Sequence, residues 1–136
     1  MADRLGHTYS DTTLLSHALA HRSYCAENEG VESNERLEFL GDSVLGLAVT
    51  GYIFANYPQL PEGKLAKLRA SVVNTESLAQ IAHNLEVGQH LLLGNGEDQS
   101  GGREKPSILA DTVEALSLIH IPSPRDRTRS RMPSSA

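Results

Sequence analysis

Three carboxylates lie at helical spacing in one apolar stretch of the chain. Glu35, Glu38 and Asp42 are three and four residues apart, so on an α-helix they share one face. Like charges at this spacing destabilise an isolated helix by about a few tenths of a kcal/mol per pair. A bound divalent cation would offset this repulsion. An ordinary solvated acidic face is the alternative interpretation.

A second acidic pair stands late in the chain. Asp111 and Glu114 are three residues apart and share a helix face if Ser107 is the N-cap of that helix. Two such helices that face each other form a site made of oxygen ligands. Oxygen ligands suit magnesium or manganese and not zinc or copper. The two pairs together are typical of metal-assisted hydrolysis of a phosphodiester.

Apolar periodicity predicts the helices that carry these carboxylates. Around the first group the apolar residues recur at three- and four-residue steps, at Leu37, Leu40, Val44, Leu47 and Ala48. The predicted helix ends near Asn56, because Pro58 and Pro61 cannot continue it. Its glycines at 41, 46 and 51 each cost about 1 kcal/mol relative to alanine. We therefore expect close packing against another backbone, and a central place in a helical bundle.

Further helices are predicted at residues 10–20, 61–74, 75–87 and 107–115, with loops at 25–33 and 94–102. The loops are rich in polar residues and glycine. The short apolar run at residues 91–93 is too brief to assign.

Four segments together resemble the ribonuclease III family of double-stranded-RNA endonucleases, in its bacterial form. The segment from Asn34 to Gly46 resembles the signature helix of that family. Residues 20–24, 61–70 and 101–111 are similar to the family in the same order. The resemblance covers roughly residues 5–115. It implies an all-α fold, the ribonuclease III-type helical bundle, truncated at its C-terminal end.

The resemblance also implies an activity and the residues that perform it. The activity is magnesium-dependent hydrolysis of double-stranded RNA by a homodimer, of the type that processes rRNA and mRNA, with manganese as a substitute ion. The metal ligands would be Glu38, Asp42, Asp111 and Glu114, of which Asp42 and Glu114 are the catalytic pair. A second metal ion, or indirect support of the first, would involve Glu35 and Glu62, the latter acting across the dimer.

Several other residues have two interpretations. Phe39 corresponds to the aromatic side chain that the family inserts into its partner subunit, and a core aromatic residue is the alternative. Basic residues that would contact RNA, or merely favour solubility, are Lys64, Lys67, Arg69 and Lys105. Such proteins also include relatives that bind RNA without cutting it, and a truncated inactive fragment is a further alternative. The retained carboxylates argue against a binding-only relative.

Other metal chemistry and other compartments are disfavoured. His17 and His21 are four residues apart but have no HExxH motif or cysteine partner, so we interpret them as ordinary polar residues. A redox carboxylate protein would need Glu-x-x-His pairs, which the sequence lacks. The lone Cys25 excludes an internal disulfide and indicates the cytoplasm. No apolar run of membrane-spanning length and no secretory signal is present, so we expect no membrane association.

The chain has 136 residues, a length that predicts one domain. Its formal net charge is −5. We assign residues 1–115 to an incomplete endonuclease domain and expect no double-stranded-RNA-binding domain. Residues 116–136 depart from the family pattern and end in a proline- and arginine-rich segment that predicts disorder. A basic RNA-binding tail is one interpretation. We favour a non-native tail, because residues 116–121 back-translate to DNA that resembles a sequencing adaptor.

Overall fold

The computed structural model describes residues 1, 4–5 and 12–120. Its seven α-helices in this part of the chain are α1 (Thr12–Leu19), α2 (Arg22–Glu27), α3 (Glu35–Asn56), α4 (Glu62–Val72), α5 (Thr75–Asn84), α6 (Asn95–Gln99) and α7 (Pro106–His120). Short 3₁₀ turns cover Val87–His90 and Gly102–Glu104. No β-strand occurs in the described ranges, where a single parallel bridge joins Ala20 and Leu92. The predicted all-α fold is confirmed.

The core is built around α7. Its buried side chains pack with those of α1, α5 and residues 91–93, and they are Ile108, Leu109, Ala110, Val113, Ala115 and Leu116. Thr112 is also buried, and its hydroxyl donates a 2.7 Å hydrogen bond to the Ile108 carbonyl oxygen. Full burial of a leucine or valine side chain contributes about 1.5–3 kcal/mol. This packing fixes α7, and with it the two carboxylates that the helix carries.

A glycine sets the distance between α3 and α7. A Cβ atom at Gly41 would lie 2.0 Å from the carbonyl oxygen of Glu114, which is far inside van der Waals contact. The close packing predicted from the glycines of α3 is thus confirmed at Gly41. It is wrong at Gly46 and Gly51, where an added Cβ would meet no atom within 4 Å.

The first turn of α3 is tied to the end of α1. The buried Asn34 side chain donates a 3.0 Å hydrogen bond to the Ala18 carbonyl oxygen. The Asn34 backbone N–H donates to the Ala20 carbonyl oxygen at 2.9 Å. A polar residue with two such bonds can be buried without an unpaired donor. Asn34 therefore fixes where α3 begins and where its acidic first turn points.

Two short helices overlap segments that we predicted to be loops: α2 includes residues 25–27 of the first loop, and α6 lies within the second. In α2, the His21 side chain accepts a hydrogen bond from the Ser23 backbone N–H at 3.2 Å, which caps the helix. In α6, the Glu27 carboxylate accepts hydrogen bonds from the Asn95 N–H, at 3.0 Å to each oxygen. The loop prediction failed for α6 because its first turn is stabilised by a residue distant in the sequence.

Both ends of α7 differ from the prediction. The helix begins at Pro106, so Ser107 lies inside its first turn and is not the N-cap. Proline favours the first helical position because its missing N–H would have no partner there. We predicted disorder from residue 116, but α7 continues through residue 120 and Leu116 is buried. That prediction is wrong for residues 116–120, where apolar side chains still pack, and residues 121–136 lie outside the described part of the chain.

A large apolar surface is exposed on α3. The exposed fractions are 79% for Phe39, 51% for Leu40 and 75% for Leu47. By length and composition alone α3 is also long and apolar enough to cross a membrane. That is weak evidence, because the core helix of a water-soluble protein passes the same test. The apolar periodicity of α3 predicted the helix correctly, but part of its apolar stripe faces away from the core.

Candidate metal centre

Carboxylates from α3 and α7 meet beside Gly41. Oxygens of Glu38, Asp111 and Glu114 all lie within 4.8 Å of one another, and all three residues are half-buried. Asp42 is exposed and lies one turn further along α3, where its charge helps to raise the pKa of Glu114. The structure therefore brings together three of the four side chains that we predicted to be metal ligands, with Asp42 beside them.

Their crowding raises the pKa of three of these groups. Burial, followed by the charges of Asp42, Asp111 and Glu38, raises the pKa of Glu114 to about 7. Burial and then the charge of Asp111 raise the pKa of Glu38, with smaller contributions from Glu35 and Asp42. Burial also raises the pKa of Asp111, which the nearby His21 opposes. The cluster resists full ionisation unless positive charge is added.

The donor set fits a hard divalent cation. All the groups in the cluster are carboxylates, and magnesium and manganese prefer oxygen ligands. A cation between the three closest oxygens would stabilise their charged forms and offset their mutual repulsion. Glu38, Asp111 and Glu114 are the residues that can hold it directly, with Asp42 beside them.

A cavity of about 380 Å³ opens next to the cluster. Glu38 and Asp111 form part of its wall, and other parts are formed by Arg22, Glu97 and Lys105. Lys105 makes an ion pair with Glu97, and its hydrogen bond lowers the pKa of that carboxyl group. The sequence did not predict Arg22 and Glu97 as residues of the site, because neither lies in an acidic or basic repeat and Glu97 falls in a predicted loop.

The two supporting carboxylates lie in different places. Glu35 is in the wall of the cavity and accepts a 2.9 Å hydrogen bond from the Ser33 hydroxyl. Glu62 instead lines a separate cleft of about 170 Å³ between α3 and α4. Within one chain Glu62 is thus not among the residues around the four carboxylates.

The predicted basic residues are likewise divided. Lys64 and Lys67 are exposed on α4, and the Arg69 guanidinium donates to the Thr50 hydroxyl at 3.4 Å. Lys105 alone of these four lies in the wall of the cavity. Of the four basic residues, Lys105 is therefore the one that lies close to the carboxylates.

His17 and Cys25 are not in the wall of this cavity, whereas His21 is. The His17 Nε2 donates to the Ser33 carbonyl oxygen at 2.8 Å, and His21 caps α2 as described above. Burial raises the pKa of the Cys25 thiol, which disfavours the reactive thiolate. The side chains of His17 and His21 therefore support local structure.

Phe39 projects from the α3 surface, and its 79% exposure excludes the core interpretation. An apolar pocket of about 350 Å³ lies between α3 and α4. Its lining includes Tyr52, Tyr57, Leu68 and Val72. An exposed aromatic side chain and an open apolar pocket on the same molecule are typical of a surface that pairs with a second copy.

Known proteins are similar to this chain in sequence and in fold. The family model described as Ribonuclease-III-like matches residues 11–118. Ribonuclease 3 of Streptomyces coelicolor is 58% identical over 113 residues, which are 83% of this chain and 41% of that protein. Ribonuclease 3 of Leifsonia xyli is 61% identical over 106 residues, covering 78% of this chain and 45% of that protein.

A solved structure agrees with these matches. The chain superposes on the nuclease domain of ribonuclease III from Campylobacter jejuni with a TM-score of 0.82 at 42% sequence identity. That structure is described as showing flexibility in the region involved in dimer formation. The match covers 95% of this chain and 88% of that one. The chain spans less than half the length of the two curated relatives named above. On sequence and on structure, the chain belongs to the bacterial ribonuclease III family.

Proposed function

We propose that this chain is the nuclease part of a magnesium-dependent endoribonuclease that hydrolyses phosphodiester bonds of double-stranded RNA. The observation that carries the proposal is the meeting of Glu38, Asp111 and Glu114 from two helices, with Asp42 one turn further along α3. The relatives named Ribonuclease 3 support the class of reaction. The reducing cytoplasm, indicated by the lone cysteine, is the compartment we propose.

The chain's residues have distinct roles in this proposal. Magnesium, when bound, supplies the positive charge that activates water and offsets charge on the phosphate. Glu38, Asp111 and Glu114 would hold the ion, with Asp42 alongside. Glu114 must be deprotonated to serve as a ligand, and burial together with the neighbouring carboxylates raises its pKa to about 7. The burial of α7 and the contact at Gly41 keep these groups in place, and preorganised groups need no rearrangement during reaction.

The exposed surface of α3 supports a homodimer. Phe39 of one subunit would enter the apolar pocket between α3 and α4 of its partner, and the relation would be reciprocal under two-fold symmetry. Glu62, which lies away from the carboxylates of its own chain, would then act at the partner's site. Two sites would cut the two strands of a duplex that is recognised by its A-form shape and 2′-hydroxyl groups.

Cleavage of a long RNA duplex tests the proposal. We expect cleavage with magnesium and none with EDTA. Glu114→Gln should lower the rate about 100-fold or more, because it removes a ligand from a cation worth several kcal/mol to the reaction. Glu76→Gln, an exposed carboxylate on α5, is the matched control and should cut normally.

Two outcomes would reject the proposal in different ways. Cleavage at an equal rate in EDTA, or by Glu114→Gln, would exclude the metal role of the cluster. Binding of the duplex without cleavage would instead identify a binding-only relative. Circular dichroism of each variant separates loss of activity from loss of fold.

A further inference from the structure

Helix α6 carries two acidic residues, and each pairs with a cation of the segment that follows. Glu97 pairs with Lys105. Asp98 accepts two hydrogen bonds from Arg103, at 2.9 Å and 3.0 Å. The Arg103 guanidinium also donates to the carbonyl oxygens of Gly88 and Leu91, at 3.0 Å and 2.8 Å. Arg103 therefore anchors the backbone, whereas Glu97 and Lys105 lie in the wall of the acidic cavity.

Glu97 is held firmly from two sides. The Glu27 carboxylate binds the Asn95 N–H at the start of α6. Gly102 packs so closely that an added Cβ would lie 2.7 Å from the Glu97 Cγ and 2.8 Å from its carbonyl oxygen. The Glu97 side chain is 22% exposed, against 43% for Lys105. A fixed carboxylate thus holds the end of a long side chain that would otherwise sample many rotamers.

We propose that Glu97 is a positioning residue for RNA: its ion pair holds the Lys105 ammonium group in the cavity wall, where that group binds a phosphate of the strand that enters beside Glu38 and Asp111. The proposal rests on the proposed function and deepens it. An ammonium group has three donors. Glu97 accepts one, so two remain to be directed at phosphate oxygens.

The proposal predicts that Glu97→Gln weakens RNA binding, whereas the change in charge alone would strengthen it. Glu97→Gln removes a negative charge from the wall of the cavity, and this change by itself would strengthen the binding of a polyanion. Loss of the ion pair would release Lys105 and weaken the phosphate contact. The positioning role therefore requires weaker binding in Glu97→Gln, and only while Lys105 is present.

A double-mutant cycle tests this on the 136-residue chain, with steady-state cleavage of an RNA duplex in magnesium at several salt concentrations. Lys105→Ala should raise KM about three- to tenfold, leave kcat nearly unchanged and reduce the salt slope by about one. Glu97→Gln should raise KM about two- to fivefold in the presence of Lys105 and leave it unchanged or lower it in the Lys105→Ala background. Lys105→Arg should retain most of the affinity.

Glu104→Gln is the matched control. It removes an equal charge from a nearby position, where Glu104 is 75% exposed and lies 3.7 Å from His83. We expect its KM to be unchanged or lower. If Glu97→Gln does not fold, Glu97→Asp keeps the charge but shortens the reach, and it must raise KM only when Lys105 is present.

The failures are distinguishable. A Glu97→Gln protein that binds RNA as tightly as Glu104→Gln does, or whose effect is equal in both backgrounds, overturns the positioning role and leaves the proposed function intact. A wild-type chain that neither binds nor cuts the duplex overturns both.

Discussion

The carboxyl group of Glu114 is the most informative single group in the acidic cluster. Its pKa of about 7 means that near neutral pH about half of the molecules carry a proton there. A cation can be held by this oxygen only when the proton has left, so metal binding must release protons and strengthen as the pH rises. The same residue thus links the affinity for metal to the stability of the metal-free protein.

We predict that the metal-free protein loses stability as the pH rises from 6.5 to 8. In the folded state the pKa of Glu114 is raised above its ordinary value of 4.5. Its contribution to stability is therefore complete below about 4.5 and is lost as the pH passes through about 7. Melting temperatures in EDTA should fall across this range, and magnesium should raise the melting temperature more at pH 8 than at pH 6.5.

Two controls make this test specific. Below pH 6.5, His21 and His90 act in the opposite direction, because burial lowers the pKa of each. The measurement therefore begins at pH 6.5. Glu114→Gln should flatten the pH dependence in EDTA and reduce the response to magnesium. A wild-type melting temperature that stays constant or rises over this range would contradict the assigned surroundings of Glu114.

The contact between α3 and α7 depends on the absence of a side chain at residue 41. We predict that Gly41→Ala destabilises the protein by about 2 kcal/mol or more, although alanine favours helices by about 1 kcal/mol. The added Cβ meets a backbone carbonyl oxygen, which cannot rotate away, so the two helices must separate. Chemical denaturation measures the change in the free energy of unfolding, and cleavage should fall with it because the carboxylates move apart.

Gly51→Ala is the matched substitution on the same helix. An added Cβ at Gly51 meets no atom within 4 Å, so we expect no loss of stability and a gain of up to about 1 kcal/mol. Equal effects at the two glycines would show that helix propensity alone decides them and that the close approach at Gly41 is not needed.

These helices also show why the sequence predicted some features and not others. The carboxylates of α3 were predictable because they repeat along one helix, and periodicity is a local property. Helix α6 was not predictable, since Glu27 stabilises its first turn from a distant part of the chain. Periodicity likewise groups Leu40 and Leu47 on a helix but does not reveal what covers them.

For the molecule as a whole, the net charge of −5 bears on the proposed binding of RNA, since proteins that bind RNA generally present basic surface. Part of the negative charge lies in the α3–α7 cluster, where a bound cation would neutralise it.

Self-association is the property of the whole molecule that Phe39 should control. We predict that the chain sediments with a mass near twice its 14.7 kDa, and that Phe39→Asp converts it to a monomer with unchanged helix content. The reason is that a charge would have to be buried, unpaired, in the apolar pocket of the partner. Val72→Asp, at the lining of that pocket, should have the same effect from the other side of the contact.

The matched control is Val31→Asp, which places the same charge at another apolar residue. Val31 is 38% exposed and is not part of the pocket that would receive Phe39. This variant should remain a dimer. Sedimentation velocity over a range of protein concentrations distinguishes the cases. A wild-type monomer at high concentration would reject the dimer altogether. A Phe39→Asp protein that still dimerises would show that other apolar residues of α3, and not the insertion of Phe39, hold the two copies together.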